Sequence, residues 1–460
     1  MIRVSSGRSV LSPDRPPWLL ATAYAAAATL AICWPVWPGF MTYDGVLAWE
    51  QTKTGVQTMT WPPMHTYLFA LSRQAGAGTG GLLAAQTFLL FFAAALALGL
   101  VASRRWIAIA GMAAFAALFV AVPALLGVTF VHWRDVPTAS FALLGLALWL
   151  AAARARSLPL LVAAVVSIGL AISLRYNAFA LFALVVPLMV WSPYLGPSPA
   201  RARIAVVVTL VAGLALAWGS TRWRLPDLAP VPKVDNFAGT QLLDLFGVSA
   251  CSGRNYLPPA VAEGATVTQA QIRRAYDPRH LHLTIKAQPG LPHFFETDGD
   301  GEVKAAWRDA VARDFPCYLA HRNAVFVEQM GLSRYGVFMT THPAIDPTSD
   351  RIVLARPGYA TQAALYAMRS ADGYGRRPIL LYLAAPLLAL LAMIRRPAAW
   401  PLLTVLLGGC AAYPALLYVA APAADARYIF PSSVLCAFVM VASALILASP
   451  KRQEPAPDAG

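Results

Sequence analysis

Acidic residues are scarce in this chain: 22 of 460, against 36 lysines and arginines, and only 13% of residues carry charge. The five cysteines are too few and too scattered for a metal cage. Cys33, Cys410 and Cys436 fall in or beside apolar runs and read as packing residues. Cys251 and Cys317 share the one large hydrophilic segment, so a disulfide is expected there if that segment faces an oxidising compartment. No internal repeat is present, and there is no Walker loop, His-Glu-x-x-His helix or nucleophile elbow, so the familiar soluble-enzyme motifs point nowhere. The acidic run Glu296 to Glu302 lacks the full calcium-loop pattern and reads as a solvated turn.

What the chain has in abundance is apolar length. Hydrophobic residues make up 58% of it, in several stretches of about 17 to 25 residues, long enough to cross a bilayer. The expected fold is an all-α polytopic membrane protein of about ten helices with a mixed, mainly helical outer domain. The candidate spans are 17–36, 80–102, 106–126, 137–153, 158–174, 177–194, 204–221, 378–394, 399–420 and 428–448. The first, lacking a small-residue cleavage site, reads as a retained helix.

The net charge of +14 reports topology, which removes nucleic acid as a partner. Basic residues collect in alternate gaps: Arg3, Arg8 and Arg15 at the start, then Arg104-Arg105, Arg154 with Arg156, Arg201 with Arg203, Arg395-Arg396 and Lys451-Arg452. The positive-inside rule places all of them in the cytoplasm. The organisation expected is a seven-span region at 1–221 with a first outer loop at 37–79, an outer domain at 222–377, a three-span region at 378–450 and a cytoplasmic tail at 451–460. Within the outer domain, helical periodicity covers 303–315 and the stretch from Cys317 to about Met330, separated at Pro316.

Outside the tails and the outer domain the acids are Asp44, Glu50, Asp135 and Asp425, and this topology puts all of them on the outer side. A lipid-exposed acid is costly, so their grouping suggests a shared aqueous cavity. Asp44 opens a short interfacial helix expected from Asp44 to Gln51, after the aromatic-belt residues Trp34, Trp37 and Tyr43. Its carboxylate is either a reactive base or a helix cap. His65, after Pro62-Pro63, is a ligand-binding or a surface histidine. In "HWRDVPTA", His132, Arg134 and Asp135 form a polar turn or a site. Arg175 and Asn177 in "LRYNAF", and Arg427 and Tyr428 in "ARYIFP", lie at the membrane surface, where an arginine either binds phosphate or snorkels.

Taken in order, "FMTYDGVLAWEQTKTG", "WPPMHTYLF", "HWRDVPTA", "LRYNAF" and "ARYIFP" resemble the GT-C superfamily, multi-span glycosyltransferases that use polyprenyl-phosphate sugars on the outer membrane face, and an uncharacterised bacterial branch of it. That resemblance implies Asp44 as catalytic base with Asp135 beside it, and Arg175, Arg427 and Arg134 as donor-phosphate ligands. It leaves Tyr43, His65, His132, Asn177 and Tyr428 for sugar or acceptor. A divalent metal is optional in the superfamily, and Asp135 is expected to orient Arg134 or His132 or to share an ion with Asp44. The implied partners are a polyprenyl-phosphate-linked sugar, membrane lipid and a glycan, lipid or protein acceptor, at a bacterial inner membrane with the large domain in the periplasm. The alternatives are a lipid-linked-sugar transporter or flippase, a polysaccharide polymerase or ligase, and a membrane-anchored binding protein without catalysis.

Overall fold

In lipid, a backbone can satisfy its own polar groups only as a helix or a closed barrel, and the Ala/Leu/Val runs of this chain form helices. The computed structural model describes residues 17–57, 62–183, 236–259, 267–278, 300–332, 377–421 and 424–450, with positions 207, 211, 215 and 229–230. Five helical segments are long and apolar enough to cross a membrane: Trp18–Val36, Gly78–Val101, Asp135–Ala155, Pro397–Ala420 and Arg427–Ala448. They contain helices α1 (Trp18–Cys33), α4 (Gly78–Val101), α7 (Asp135–Ala155), α15 (Trp400–Ala420) and α16 (Phe430–Ala448).

Ten spans are not confirmed among the described residues. Helices α8 (Leu158–Leu174) and α14 (Ile379–Arg395) are apolar but have 17 residues each, about 25 Å against a hydrocarbon core of about 30 Å. The span expected at 106–126 is broken. Helix α5 (Arg105–Ala121) meets α6 (Pro123–Thr129) at 87°, and counting the pair as one span raises the total to six. The cause is local, because Pro123 supplies no amide and keeps Val122 in an extended conformation, φ −109° and ψ 97°. Of the span expected at 177–194, α9 (Phe179–Ala183) is described and the rest lies outside the described residues, as does nearly all of 204–221.

Helices α1, α4, α7 and α8 pack side by side, and α16 contacts α4, α5, α7, α14 and α15. Close approach of α7 to α8 depends on Gly145, where a Cβ would stand 2.7 Å from Ile168. Two helices of the segment expected as the first outer loop, α2 (Tyr43–Thr54) and α3 (Met64–Gln74), pack on each other beside α4. The helix expected from Asp44 to Gln51 is thus present and extends further at both ends.

The described part of the outer domain is helical: α10 (Asn236–Ser252), α11 (Gln269–Ala275), α12 (Asp300–Arg313) and α13 (Phe315–Gln329). The separation expected at Pro316 falls instead at Asp314, and Pro316 sits in the first turn of α13, where a missing amide is harmless. Strand structure is limited, among the described residues, to β1 (Val56–Gln57) paired in parallel with β2 (Ala229–Pro230) and an isolated bridge described below. Leu242, Phe246, Ile272, Val303 and Ala310 form a separate apolar core. Cys251 and Cys317 form a disulfide joining α10 to α13 across a separation of 66 residues, a loop whose closure is worth about 4 kcal/mol in the chain-entropy account. Cys33, Cys410 and Cys436 are free and buried.

Candidate functional site

Two loops far apart in sequence are stitched together at one end of the helix bundle. The Phe40 amide donates to the Phe130 carbonyl at 2.8 Å and the His132 amide donates to the Phe40 carbonyl at 2.9 Å, forming a parallel bridge between Phe40 and Val131. Trp133 Nε1 donates to Thr42 Oγ1 at 2.9 Å, and His132 Nε2 donates to the Pro38 carbonyl at 2.9 Å. Gly39 permits this contact: it holds φ +99°, and a Cβ there would lie 2.6 Å from His132 Nε2. The result sets the start of α2, and Asp44 with it, over the 131–135 turn.

Thr42, not Asp44, stands at the N-cap of α2, and its side chain makes no cap bond. Asp44 instead accepts from Arg427 Nη1 at 2.7 Å. Arg427 Nε pairs with Asp425 at 2.8 Å, and its guanidinium lies 5.2 Å from the rings of both Trp133 and Tyr428. Arg175, which is ion-paired with Asp135, lies 4.5 Å from the Tyr428 ring. The expectation that Asp135 orients Arg134 or His132 is thereby corrected. Arg175 leaves the end of α8 just where α7 begins, so the acid and the guanidinium are forced together. Arg134 is half-buried and interacts electrostatically with Asp44 and Arg427. Asn177 Oδ1 accepts from Tyr413 at 3.5 Å beneath this layer.

The two ion pairs differ in access. Asp135 is 1% exposed and its partner 8%, whereas Asp44 is 22% and Arg427 15% exposed. The Asp44–Arg427 pair is partly open to solvent; the Asp135–Arg175 pair is sealed.

Beside Asp44 lies a polar cavity of about 310 Å³, lined by Asp44, Ala48, Gln51, Pro62, His65, Thr66 and Arg134. Thr66 Oγ1 donates to Gln51 Oε1 at 2.9 Å. His65 Nε2 is buried without a hydrogen-bond partner among the described residues. His132 does not line the cavity; it is fully buried, packs against Phe69 and holds the Pro38 turn. Tyr43 occupies the first position of α2. Below the arginines, among α7, α8, α9, α15 and α16, lies an apolar cavity of about 480 Å³, lined by Ala139, Leu143, Ile168, Phe182, Leu406 and Pro431 among others. Ala139 is one turn from Asp135, and Pro431 one turn from Arg427, so the cavity begins directly under the ion pairs.

Burial drives the Asp44 carboxyl upward, but Arg427, then Arg134, outweigh it and hold it below the usual carboxylate value. Burial first, and Arg134 and His132 next, push His65 down to about 3. In the unliganded protein Asp44 is therefore an anion and His65 neutral throughout the window from about pH 5 to 8 in which an ordinary histidine titrates. A kcat/KM profile, which reports the free enzyme, is expected to show no limb from either group in that window. A histidine-like acid limb near pH 6.5 would contradict this assignment of protonation states.

No family model matches this chain. Nor does any curated protein. Two solved structures align with 92% of it: ArnT from Cupriavidus metallidurans in the apo state, 14% identical over 76% of that chain, and the same protein bound to undecaprenyl phosphate, 13% identical over 77%, each with a TM-score of 0.33. A similarity of that size leaves the site residues to be read from their own geometry. Among the described residues no three His, Cys, Asp or Glu side chains converge as a metal-binding group, including around Asp44 and Asp135.

Sequence reasoning named the acids and arginines but missed their partners, the aromatic face of Trp133, and Gln51 and Thr66 in the cavity wall. One signal was available: Asp425 and Arg427 stand two residues apart, a spacing that lets one turn hold both.

Proposed function

We propose that this protein is a membrane-embedded glycosyltransferase that moves a sugar from a polyprenyl-phosphate donor to a cell-envelope acceptor on the outer face of a bacterial inner membrane, with the outer domain in the periplasm. The observation that carries the reading is a partly exposed carboxylate–guanidinium pair at the bundle end, with a polar cavity beside it and an apolar cavity starting one turn away. A lipid-linked phosphosugar has the matching order of parts: apolar tail, anionic phosphate, sugar. The Cys251–Cys317 disulfide fits the oxidising side of the membrane.

In this mechanism the donor phosphate takes the Arg427 guanidinium from Asp44 with Arg134 beside it, while Arg175, ion-paired with buried Asp135, supports the layer without touching the phosphate. Losing its nearest cation makes Asp44 a stronger base. The acceptor hydroxyl, seated in the cavity near His65, gives its proton to Asp44 as its oxygen bonds to the anomeric carbon. The bond from that carbon to the phosphate oxygen breaks on the opposite face, and the configuration inverts. Polyprenyl phosphate departs with the electron pair, its growing charge held by Arg427, so the stabilisation is greatest in the transition state. Buried Tyr428 lies against both Arg175 and Arg427 and fixes their guanidinium groups, while Asn177 and His132 support the layer from behind.

The direct test is binding of a radiolabelled polyprenyl-phosphate sugar to the detergent-purified full chain. Wild type is expected to bind saturably and Arg427→Ala at least about tenfold more weakly, as for loss of a charge-assisted hydrogen bond. Absence of binding by folded wild type would remove the donor from the scheme.

A further inference from the structure

The outer domain reaches the ion-paired layer through one buried cation. Helix α13 lies against the end of α15 and against the turn that carries Arg427 and Tyr428. Arg322, near the middle of α13, is 1% exposed. Its Nη2 donates to Asp244 Oδ2 of α10 at 2.7 Å, and its Nη1 donates to the backbone carbonyl of Ala421 at 2.8 Å. Ala421 closes α15. Four residues later comes Asp425, whose carboxylate accepts from the Arg427 amide at 3.1 Å and pairs with Arg427 Nε at 2.8 Å.

The contact is reinforced on the same face of α13. Tyr418 donates to Asn323 Oδ1 at 2.8 Å, and the Phe326 ring stands edge-on to Tyr418 at 5.4 Å. Within the outer domain Asp244 also accepts from Trp307 Nε1 at 2.8 Å, while the neighbouring His321 is pushed down to about 3 by burial first and Arg322 second, and so stays neutral. A buried ion pair of this kind gains little stability over well-packed apolar side chains. What it supplies that apolar packing does not is the second, directional donation across the domain boundary to Ala421.

We propose that Arg322 is a positioning residue: through the Ala421 carbonyl it fixes where Asp425 and Arg427 stand, and so couples the outer domain to the presentation of the donor phosphate. This rests on the role given above to Arg427, and the test separates the two. In Arg322→Lys the charge beside Asp244 is kept, but one ammonium cannot hold both Asp244 and the Ala421 carbonyl with the fork geometry of a guanidinium. The full chain in detergent micelles is followed by donor binding and by amide hydrogen exchange.

Donor affinity is expected to fall about tenfold in Arg322→Lys and to be unchanged by the same substitution in an Arg427→Ala background, since positioning through Arg427 requires non-additivity. Exchange in 421–429 is expected to quicken while 315–329 stays as protected as in wild type. Additive losses of affinity, or unaltered exchange in 421–429, would overturn the proposal. If wild type binds no donor, the transferase reading fails and exchange alone decides: faster exchange in 421–429 keeps Arg322 as the anchor of the Arg427 turn, and unaltered exchange rejects it. Where the lysine variant loses protection across α13, Asp244→Asn with Arg322→Met, which removes both charges together, is measured with the same expected and overturning results.

Discussion

Transfer in Asp44→Asn is expected to fall by about 10²–10⁴-fold, the range for losing a general base, while donor binding is retained or tightened. The second half of that expectation comes from the geometry. In the unliganded protein the Asp44 carboxylate accepts from the same Arg427 guanidinium that is proposed to hold the phosphate, so the carboxylate competes with the donor. Asparagine fills nearly the same volume, carries no charge and releases Arg427 to the anion. A purely structural role for Asp44 predicts the reverse pattern, with binding and transfer lost together as α2 detaches from the Arg427 turn. Measuring donor affinity and turnover on one preparation separates the two, and full activity in Asp44→Asn would reject Asp44 as the base.

The largest effect on stability is expected from Arg175→Ala. Asp135 is 1% exposed and Arg175 is its ion-pair partner, so truncating the arginine leaves a buried carboxylate without its counter-charge, a loss of about 3–5 kcal/mol. Cation–π contact with Tyr428, 4.5 Å away, goes with it. The Asp135→Asn, Arg175→Met pair removes both charges and is expected to recover most of that stability in a denaturant titration followed by helicity. Equal instability of the single and double variants would assign the loss to packing. The comparison also bears on donor binding: in Arg175→Ala a loosened fold would lower binding with no phosphate ligand removed, whereas in Arg427→Ala the partners Asp44 and Asp425 remain partly open to solvent, so its loss reports the site.

Several features were legible in the residues because they depend on local pattern. Apolar length defines the helices, and the scarcity of acids made Asp44, Asp135 and Asp425 conspicuous. Helical periodicity foretold α12 and α13, a short helix was expected where α2 lies, and the two cysteines of the hydrophilic segment do pair. Failures of the reading have equally local causes. The hydropathy of 106–126 is continuous, yet Pro123 turns the chain by 87° there, since hydropathy counts side chains and the bend is a matter of one missing amide.

By itself, then, the sequence determined an α-helical chain with helices long and apolar enough to cross a membrane, and the set of charged groups that interrupts them. Only the tertiary structure decided who meets whom: Asp44 with Arg427 across 383 residues, Asp135 with Arg175 in place of its neighbour Arg134, and Arg322 with Ala421. The physical reason is one of range. Burial and helix formation follow from each segment's own composition, whereas the partner of a buried charge depends on which helix ends the packing brings within about 4 Å, and no periodicity along one segment carries that information.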